Sequence, residues 1–82
     1  MPGSNIDLSA LDDHSLADLA AAAADELARR GRAEGFALLI DLSAHLGIAV
    51  GESARRVAEQ GSWSDVAAVS GTTKQAAWSR WR

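Results

Sequence analysis

Apolar residues in the first third of the chain recur at the spacing of one helix face. They occupy positions i, i+3, i+4, i+7 and i+11. The members of this stripe are Leu16, Leu19, Ala20, Ala23 and Leu27. The stripe predicts a helix over 12–30, with Asp12 as its N-cap and Gly31 at its end. Arg29 and Arg30 suit the negative C-terminal end of this helix.

The next segment is apolar around most of a helix circumference, which predicts a second helix over 33–46. Its large apolar residues are Phe36, Leu38, Leu39, Ile40, Leu42 and Leu46. A helix with such a pattern is buried on several sides, so we expect it to be a central helix or part of a dimer interface. We expect Gly47 to end this helix. A short third helix over 51–60 follows, with Ala54, Val57 and Ala58 facing inward.

Two further short helices are predicted at the C-terminus. Ser62 and Asp65 have the spacing of a capping box before a helix over 63–70. Gly71 stands where a tight turn needs positive φ. The last helix starts at Thr73 as its N-cap, or at Thr72 with Gln75 as a box. Two short helices joined by a glycine-containing turn form the helix-turn-helix pattern.

The expected fold is therefore all-α, with about five short helices. No stretch alternates apolar and polar residues for long, so no strand is predicted. We divide the chain into a flexible N-terminal arm (1–11), a helical support or dimerisation region (12–61) and a helix-turn-helix (62–82).

Composition is typical of one folded domain. The chain has 82 residues, of which 48% are hydrophobic and 23% charged, a balance unlike that of disordered chains. The chain has no cysteine, which excludes disulfides and thiolate metal ligands and fits a reducing cytoplasm. The start, MPGSNID, lacks the features of a signal peptide. No apolar run approaches the roughly 18 residues that a membrane span needs, so no membrane partner is expected.

Charge is distributed unevenly between the two halves of the chain. Residues 1–52 carry three cations and nine anions, a net charge of −6, whereas 53–82 carry five cations and two anions, a net charge of +3. Charges beyond a Debye length of about 8 Å are largely screened, so a phosphate footprint depends on the local field. The net charge of −3 for the whole chain therefore does not exclude nucleic acid.

The stretch WSDVAAVSGTTKQAAWSRW resembles the helix-turn-helix of small actinobacterial-type DNA-binding proteins, which commonly read W-A-E-I-A-x-x-L-G-V-S-R/K-Q-A-A-x-x-R-F/W. The matching residues are Trp63, Asp65, Val66, Ala67, Gly71, Lys74, Gln75, Ala76, Ala77, Arg80 and Trp81. They cover about a quarter of the chain. Two residues depart from the pattern, since Ser70 replaces leucine and Thr72 replaces valine at positions that flank the turn.

The resemblance implies a bacterial protein whose last helix is a recognition helix for double-stranded DNA. Thr73, Lys74 and Gln75 lie at the end of that helix which reaches base edges in such motifs. Glutamine can pair with adenine, and lysine can donate to guanine or phosphate. Further contacts are expected along the helix and from the flanking segments. These contact residues are Trp78, Ser79, Arg82, Ser62, Arg55 and Arg56.

Several side chains keep two interpretations. Trp63 and Trp81 are expected in the core, while Trp78 belongs either to the core or to the exposed surface near the groove. Arg80 either pairs with Asp65 or contacts phosphate. Arg55 and Arg56 are equally consistent with an ordinary solvated helix face.

Catalytic and metal chemistry are not expected. His14 and His45 are the two histidines, and a metal site needs three or four donors. The serines and aspartates lie where helix capping explains them. We therefore expect a non-enzyme without cofactor.

The favoured function is a sequence-specific transcriptional regulator in the cytoplasm, associated with the nucleoid. A repressor is favoured, because nothing remains in the chain to recruit polymerase or sense a ligand. We expect a homodimer through the first two helices, since paired motifs read half-sites about 34 Å apart. The alternative is a protein-interaction module, or an antitoxin-like partner, with the acidic front half as its working surface. The end of the chain one residue after Trp81 is also consistent with a longer parent protein.

Overall fold

The structure, a computed structural model, describes residues 7–82 and contains four α-helices after a short 3-10 helix. The 3-10 helix is Leu8–Ala10. The α-helices are α1 (Asp13–Arg30), α2 (Ala33–Gln60), α3 (Trp63–Ser70) and α4 (Lys74–Trp81). Residues 7–82 contain no strand. The prediction of an all-α protein is confirmed, but the number of helices is four rather than five.

Part of the predicted N-terminal arm is ordered into the 3-10 turn. Asp7 caps this turn, since its carboxylate accepts hydrogen bonds from the backbone N–H of Ser9 at 3.1 Å and from the Ser9 hydroxyl at 2.6 Å. The remainder of the arm, residues 1–6, lies outside the described residues.

Helix α1 begins and ends where its capping residues predicted. Asp12 accepts a hydrogen bond from the backbone N–H of Ser15 at 2.8 Å, and this bond lowers the pKa of the Asp12 carboxyl. Gly31 ends the helix in the left-handed conformation at φ 63°. Near that end, hydrogen bonds from Arg29 and Arg30 lower the pKa of Glu26.

Helix α2 corrects the prediction of two separate helices. Gly47 does not end a helix, because α2 continues through it and through Gly51 as far as Gln60. Among residues 7–82, only Gly31 and Gly71 have positive φ. A glycine inside a helix costs about 1 kcal/mol relative to alanine but does not force a break. The residues between the two glycines, Ile48 to Val50, are not turn formers, so the helix continues.

Because α2 is one continuous helix, its apolar segment is long enough to be compared with a membrane span. By length and composition alone it is apolar enough to cross a membrane, with a mean hydropathy of 1.5 over an 18-residue window. This is weak support for a membrane span. Asp41 and His45 lie in the middle of the apolar segment, and an aspartate at the centre of a span is costly.

The chain divides into two compact units within α2. The first is Met1–Ile40 and the second is Asp41–Arg82. In the first unit, α1 contains no buried residue. The chain approaches itself closely at Gly35, where an added Cβ would lie 3.3 Å from the backbone oxygen of Leu27.

The second unit has a small core made largely of small side chains. Its buried hydrophobic residues are Ala54, Val66, Ala67 and Ala77, with Ala58, Trp63 and Trp81 packed against them. The inward orientation predicted for Ala54 and Ala58 is confirmed. That predicted for Val57 is wrong, because Val57 is 39% exposed.

Candidate nucleic-acid interface

Helix α3 begins with the predicted capping box. The backbone N–H of Asp65 donates to the Ser62 hydroxyl at 3.2 Å. In return, the backbone N–H of Ser62 donates to Asp65 Oδ2 at 3.0 Å. Two groups that would otherwise lack partners at the helix start are therefore satisfied.

The turn between α3 and α4 is closed by the carbonyl of Ala67. This carbonyl accepts hydrogen bonds from the backbone N–H groups of Gly71 at 2.9 Å and Thr72 at 3.1 Å. Gly71 adopts φ 72°, a conformation that is costly for residues with a Cβ. Thr73 then caps α4 by accepting a hydrogen bond from the N–H of Ala76 at 3.1 Å. Of the two predicted starts for this helix, the one at Thr73 is confirmed.

The inner face of α4 packs closely because it presents a small residue. Ala77 is fully buried, and Trp81, one turn later, is packed against the core. An added Cβ on Gly51 of α2 would lie 3.8 Å from Cδ1 of Trp81, so the glycine allows this close approach. Trp63 and Trp81, predicted in the core, are partly buried and pack against it.

The outer face of α4 is open to solvent and carries most of the predicted DNA contacts. Four of these predicted contacts are exposed, and each lies three or four residues from two of the others along the helix: Gln75, Trp78, Ser79 and Arg82. Residues three and four apart are neighbours on a helix surface. The guanidinium of Arg82 lies 4.5 Å from the centroid of the Trp78 ring. Of the two positions predicted for Trp78, the core and the exposed surface, the structure shows the exposed surface.

Lys74 and Gln75 form the first turn of α4, and both are exposed. Within residues 7–82, neither side chain takes part in a hydrogen bond or an ion pair. With Thr73 as the cap before them, they form a polar end to the helix that is free to contact a ligand.

The predicted phosphate contacts outside α4 are partly engaged within the chain. Ser62 is tied into the capping box, and the negative Asp65 lies beside it, which disfavours a phosphate there. Arg55 donates from Nη1 to the backbone oxygen of Trp81 at 3.0 Å. Arg56 pairs with Glu52 at 3.3 Å. The structure therefore brings the α4 residues together but leaves these three with competing partners.

Of the two roles predicted for Arg80, pairing with Asp65 is not found among residues 7–82, and phosphate contact stays a prediction. The guanidinium of Arg80 lies 5.0 Å from the centroid of the Trp81 ring.

The second unit contains an apolar groove that was not predicted from the sequence. Its volume is about 240 Å³. Its main lining residues are Val50, Ser53, Val57, Val69, Ser70 and Trp81. Ser70 is one of the two departures from the motif pattern. A small serine where the pattern has leucine leaves space unfilled, so this substitution could have indicated the groove. Its hydroxyl donates to the backbone oxygen of Val66 at 2.8 Å, so it turns toward its own helix.

No group of three or more metal-ligating side chains occurs in the part of the chain that the structure describes. Comparison with family models, with curated proteins and with solved structures found no match to this chain.

Proposed function

We propose that this protein binds double-stranded DNA in a sequence-specific manner, with α4 as the helix that enters the major groove. The observation that carries the proposal is the open outer face of α4. Its first turn presents Lys74 and Gln75, which have no side-chain partner among residues 7–82, while its inner face is anchored by the fully buried Ala77. A short capped helix held at a glycine turn, with a polar exposed N-terminal end, suits a recognition helix.

The chemistry of the exposed residues supports reading of bases and phosphates. The side-chain amide of Gln75 can bond adenine at two atoms, and the ammonium of Lys74 can donate to guanine or to a phosphate oxygen. Trp78 and Arg82 lie further along the same surface, where the guanidinium stacked on the indole can contact the DNA backbone. We assign Ser62, Arg55 and Arg56 a smaller share, because each has a partner within the chain.

We further propose that the protein acts as a homodimer through α1 and α2. Helix α1 contains no buried residue, and several large apolar side chains of α2 are exposed, among them Phe36 at 67%. A dimer would cover such surface and place two recognition helices on successive turns of DNA, about 34 Å apart. A dimer bound across two turns of DNA could block access to that DNA, so we favour a repressor. Its location would be the cytoplasm, in association with the nucleoid.

The same exposed apolar surface favours a second candidate, a protein-interaction module or antitoxin-like partner. Large contiguous apolar patches on a small protein commonly mark protein interfaces. In that case the front half, which carries the net charge of −6, would be the working surface.

The experiment is a selection from random duplex DNA at about 50 and 200 mM salt, with sequencing of the retained fraction. Binding should fall steeply with salt because phosphate contacts release counterions. Lys74→Ala and Gln75→Ala should each weaken binding to the enriched site by about 1–3 kcal/mol. The matched control is Arg32→Ala, which removes a cation far from α4 in the sequence and should bind like the unaltered protein.

Two results would decide against this function. If both α4 variants bound the selected site as tightly as the control, α4 would not read DNA. If no duplex were retained at either salt concentration, the protein-interaction candidate would take precedence.

A further inference from the structure

One stripe of α2 has the spacing of a coiled-coil seam. Positions 36, 39, 43, 46, 50 and 53 alternate steps of three and four residues, which keeps them along one side of a helix. The α2 seam consists of Phe36, Leu39, Ser43, Leu46, Val50 and Ser53. Within residues 7–82 none of these six is buried, and the structure leaves Phe36 67% and Val50 52% exposed.

The order of large and small residues in the α2 seam is complementary to itself in the antiparallel direction. Two copies related by a two-fold axis between positions 44 and 45 would place Phe36 opposite Ser53, and Leu39 opposite Val50. Ser43 would face Leu46 of the second copy. Every serine then faces a large side chain, which is how well-packed helix interfaces interdigitate. Parallel pairing would instead set serine against serine in two layers and leave gaps there.

The apolar groove lies at one end of the α2 seam and is open where a second copy would place its phenylalanine. Ser53 lines this groove together with Val50 and Val57. The groove volume is about 240 Å³, whereas a cavity of about 150 Å³ accepts benzene in a protein interior. A phenyl ring therefore fits, and small Ser53 leaves the entrance free.

Charge on the flanks of the α2 seam also permits pairing with an identical helix. The residues beside its centre, Leu42, Gly47 and Ala49, are uncharged and include two small ones. Two copies would thus meet without opposing like charges, although the whole chain carries a net charge of −3. Small residues also allow the helix backbones to approach closely.

We infer that α2 pairs with α2 of a second copy in antiparallel orientation, and that Phe36 of each copy inserts into the apolar groove of the other beside Ser53. This two-fold interface is isologous, so each copy contributes the same ring and the same groove. The inference rests on the proposed homodimer but not on DNA binding, and its tests are carried out without DNA.

The direction of pairing is tested with cysteines, since the natural chain has none. The variant Leu39→Cys/Val50→Cys should form a reducible disulfide-linked dimer under mild oxidation. The two cysteines cannot bond within one copy, because 11 residues of helix separate them by about 16 Å. The single variants Leu39→Cys and Val50→Cys should remain largely unlinked. If the single variants formed disulfide-linked dimers as fully as the double variant, the antiparallel arrangement would be wrong.

The role of the groove is tested at Ser53, which is exposed within one copy. By sedimentation equilibrium, the unaltered protein and Ser53→Ala should dimerise alike, because both leave the groove open. Ser53→Phe should raise the dimer dissociation constant at least about tenfold, since its ring occupies the site of Phe36 of the second copy. Circular dichroism would show that the helices persist. Equal dimerisation of Ser53→Phe and Ser53→Ala would refute the inserted ring.

A competing occupant of the exposed α2 surface is a lipid bilayer. The unaltered protein should stay with the soluble fraction when floated with phosphatidylcholine and phosphatidylglycerol vesicles. A protein that floats with the vesicles, and is monomeric without them, would overturn the proposed pairing.

Discussion

The contact between Gly51 of α2 and the end of α4 predicts opposite effects for one substitution at two positions. In Gly51→Val the added Cβ would lie 3.3 Å from Nη1 of Arg55 and 3.8 Å from Cδ1 of Trp81. The two γ-methyl groups of valine would add further volume at this contact. The same change at Gly47, one turn earlier, meets no atom within 4 Å.

The free energies can be worked from these contacts. Crowding in a packed site costs about 1–3 kcal/mol. Loss of the hydrogen bond from Arg55 to the Trp81 carbonyl costs about 1 kcal/mol at an exposed site. Valine gains back only a few tenths of a kcal/mol in helix propensity over glycine, roughly 0.3–0.5. Gly51→Val should therefore lower the free energy of unfolding of the monomer by about 1.5–3.5 kcal/mol. Gly47→Val, compared at a protein concentration below that of dimerisation, should raise it slightly.

Urea unfolding followed by tryptophan fluorescence measures this difference. All three tryptophans lie in the second unit, so the signal reports on the packing of α3 and α4. With a slope of about 1–3 kcal/mol per molar urea, a loss of about 1.5 kcal/mol or more lowers the urea midpoint by at least roughly 0.5 M, which is easily resolved. If Gly51→Val and Gly47→Val had the same stability, the close approach of Trp81 would not depend on a glycine at position 51.

Three further predictions concern helix ends. Thr73→Ala should destabilise α4 by about 1 kcal/mol in the same urea assay, whereas Thr73→Ser should be nearly neutral because serine also caps; equal losses would contradict the cap. Gly31→Ala should cost about 1–2 kcal/mol because the residue is left-handed, so thermal unfolding should show a lower Tm than for Gly47→Ala, and the reverse order would contradict the assignment. The pKa values of Asp12 and Glu26 are lower in the folded protein than in the unfolded chain. Their ionised carboxylates therefore stabilise α1 fully above the unfolded pKa near 4, and this stabilisation is lost as pH falls through the lower pKa of the folded protein. Helix content by circular dichroism should thus decrease on acidification, and less so in the variant Asp12→Asn/Glu26→Gln. Identical pH profiles would show that these two carboxylates do not cause the loss of helix.

Local capping chemistry was readable from the sequence because it acts over three or four residues. The carboxylate of Asp12 meets an N–H three residues ahead, and Ser62 and Asp65 satisfy each other across the same interval. Such contacts need no distant partner. The starts of α1 and α3 were therefore predicted at the residues where they occur, and Thr73 was one of the two starts predicted for α4.

The outer face of α4 was partly predictable for the same reason. Trp81 was expected in the core, and Gln75, Ser79 and Arg82 were set among the polar residues of this helix, where the structure leaves them exposed. Spacing did not reveal that Arg55 and Arg56 have partners within the chain. The carbonyl of Trp81 that engages Arg55 lies 26 residues away, beyond the reach of any local pattern.

The sequence by itself determined that the chain is helical and where most of its helices begin and end, because caps and helical periodicity are local properties. The structure shows that α2 continues through Gly47 and Gly51. At Gly47 nothing packs against the helix and the local sequence accounts for its continuation, so tertiary packing decided the matter only at Gly51. A glycine can end a helix or remain inside one, and the difference of about 1 kcal/mol is small enough for packing to settle. At Gly51 that packing is the close approach of Trp81. The exposure of Val57 and the apolar groove beside it likewise depend on how α3 and α4 pack on α2, which no single segment encodes.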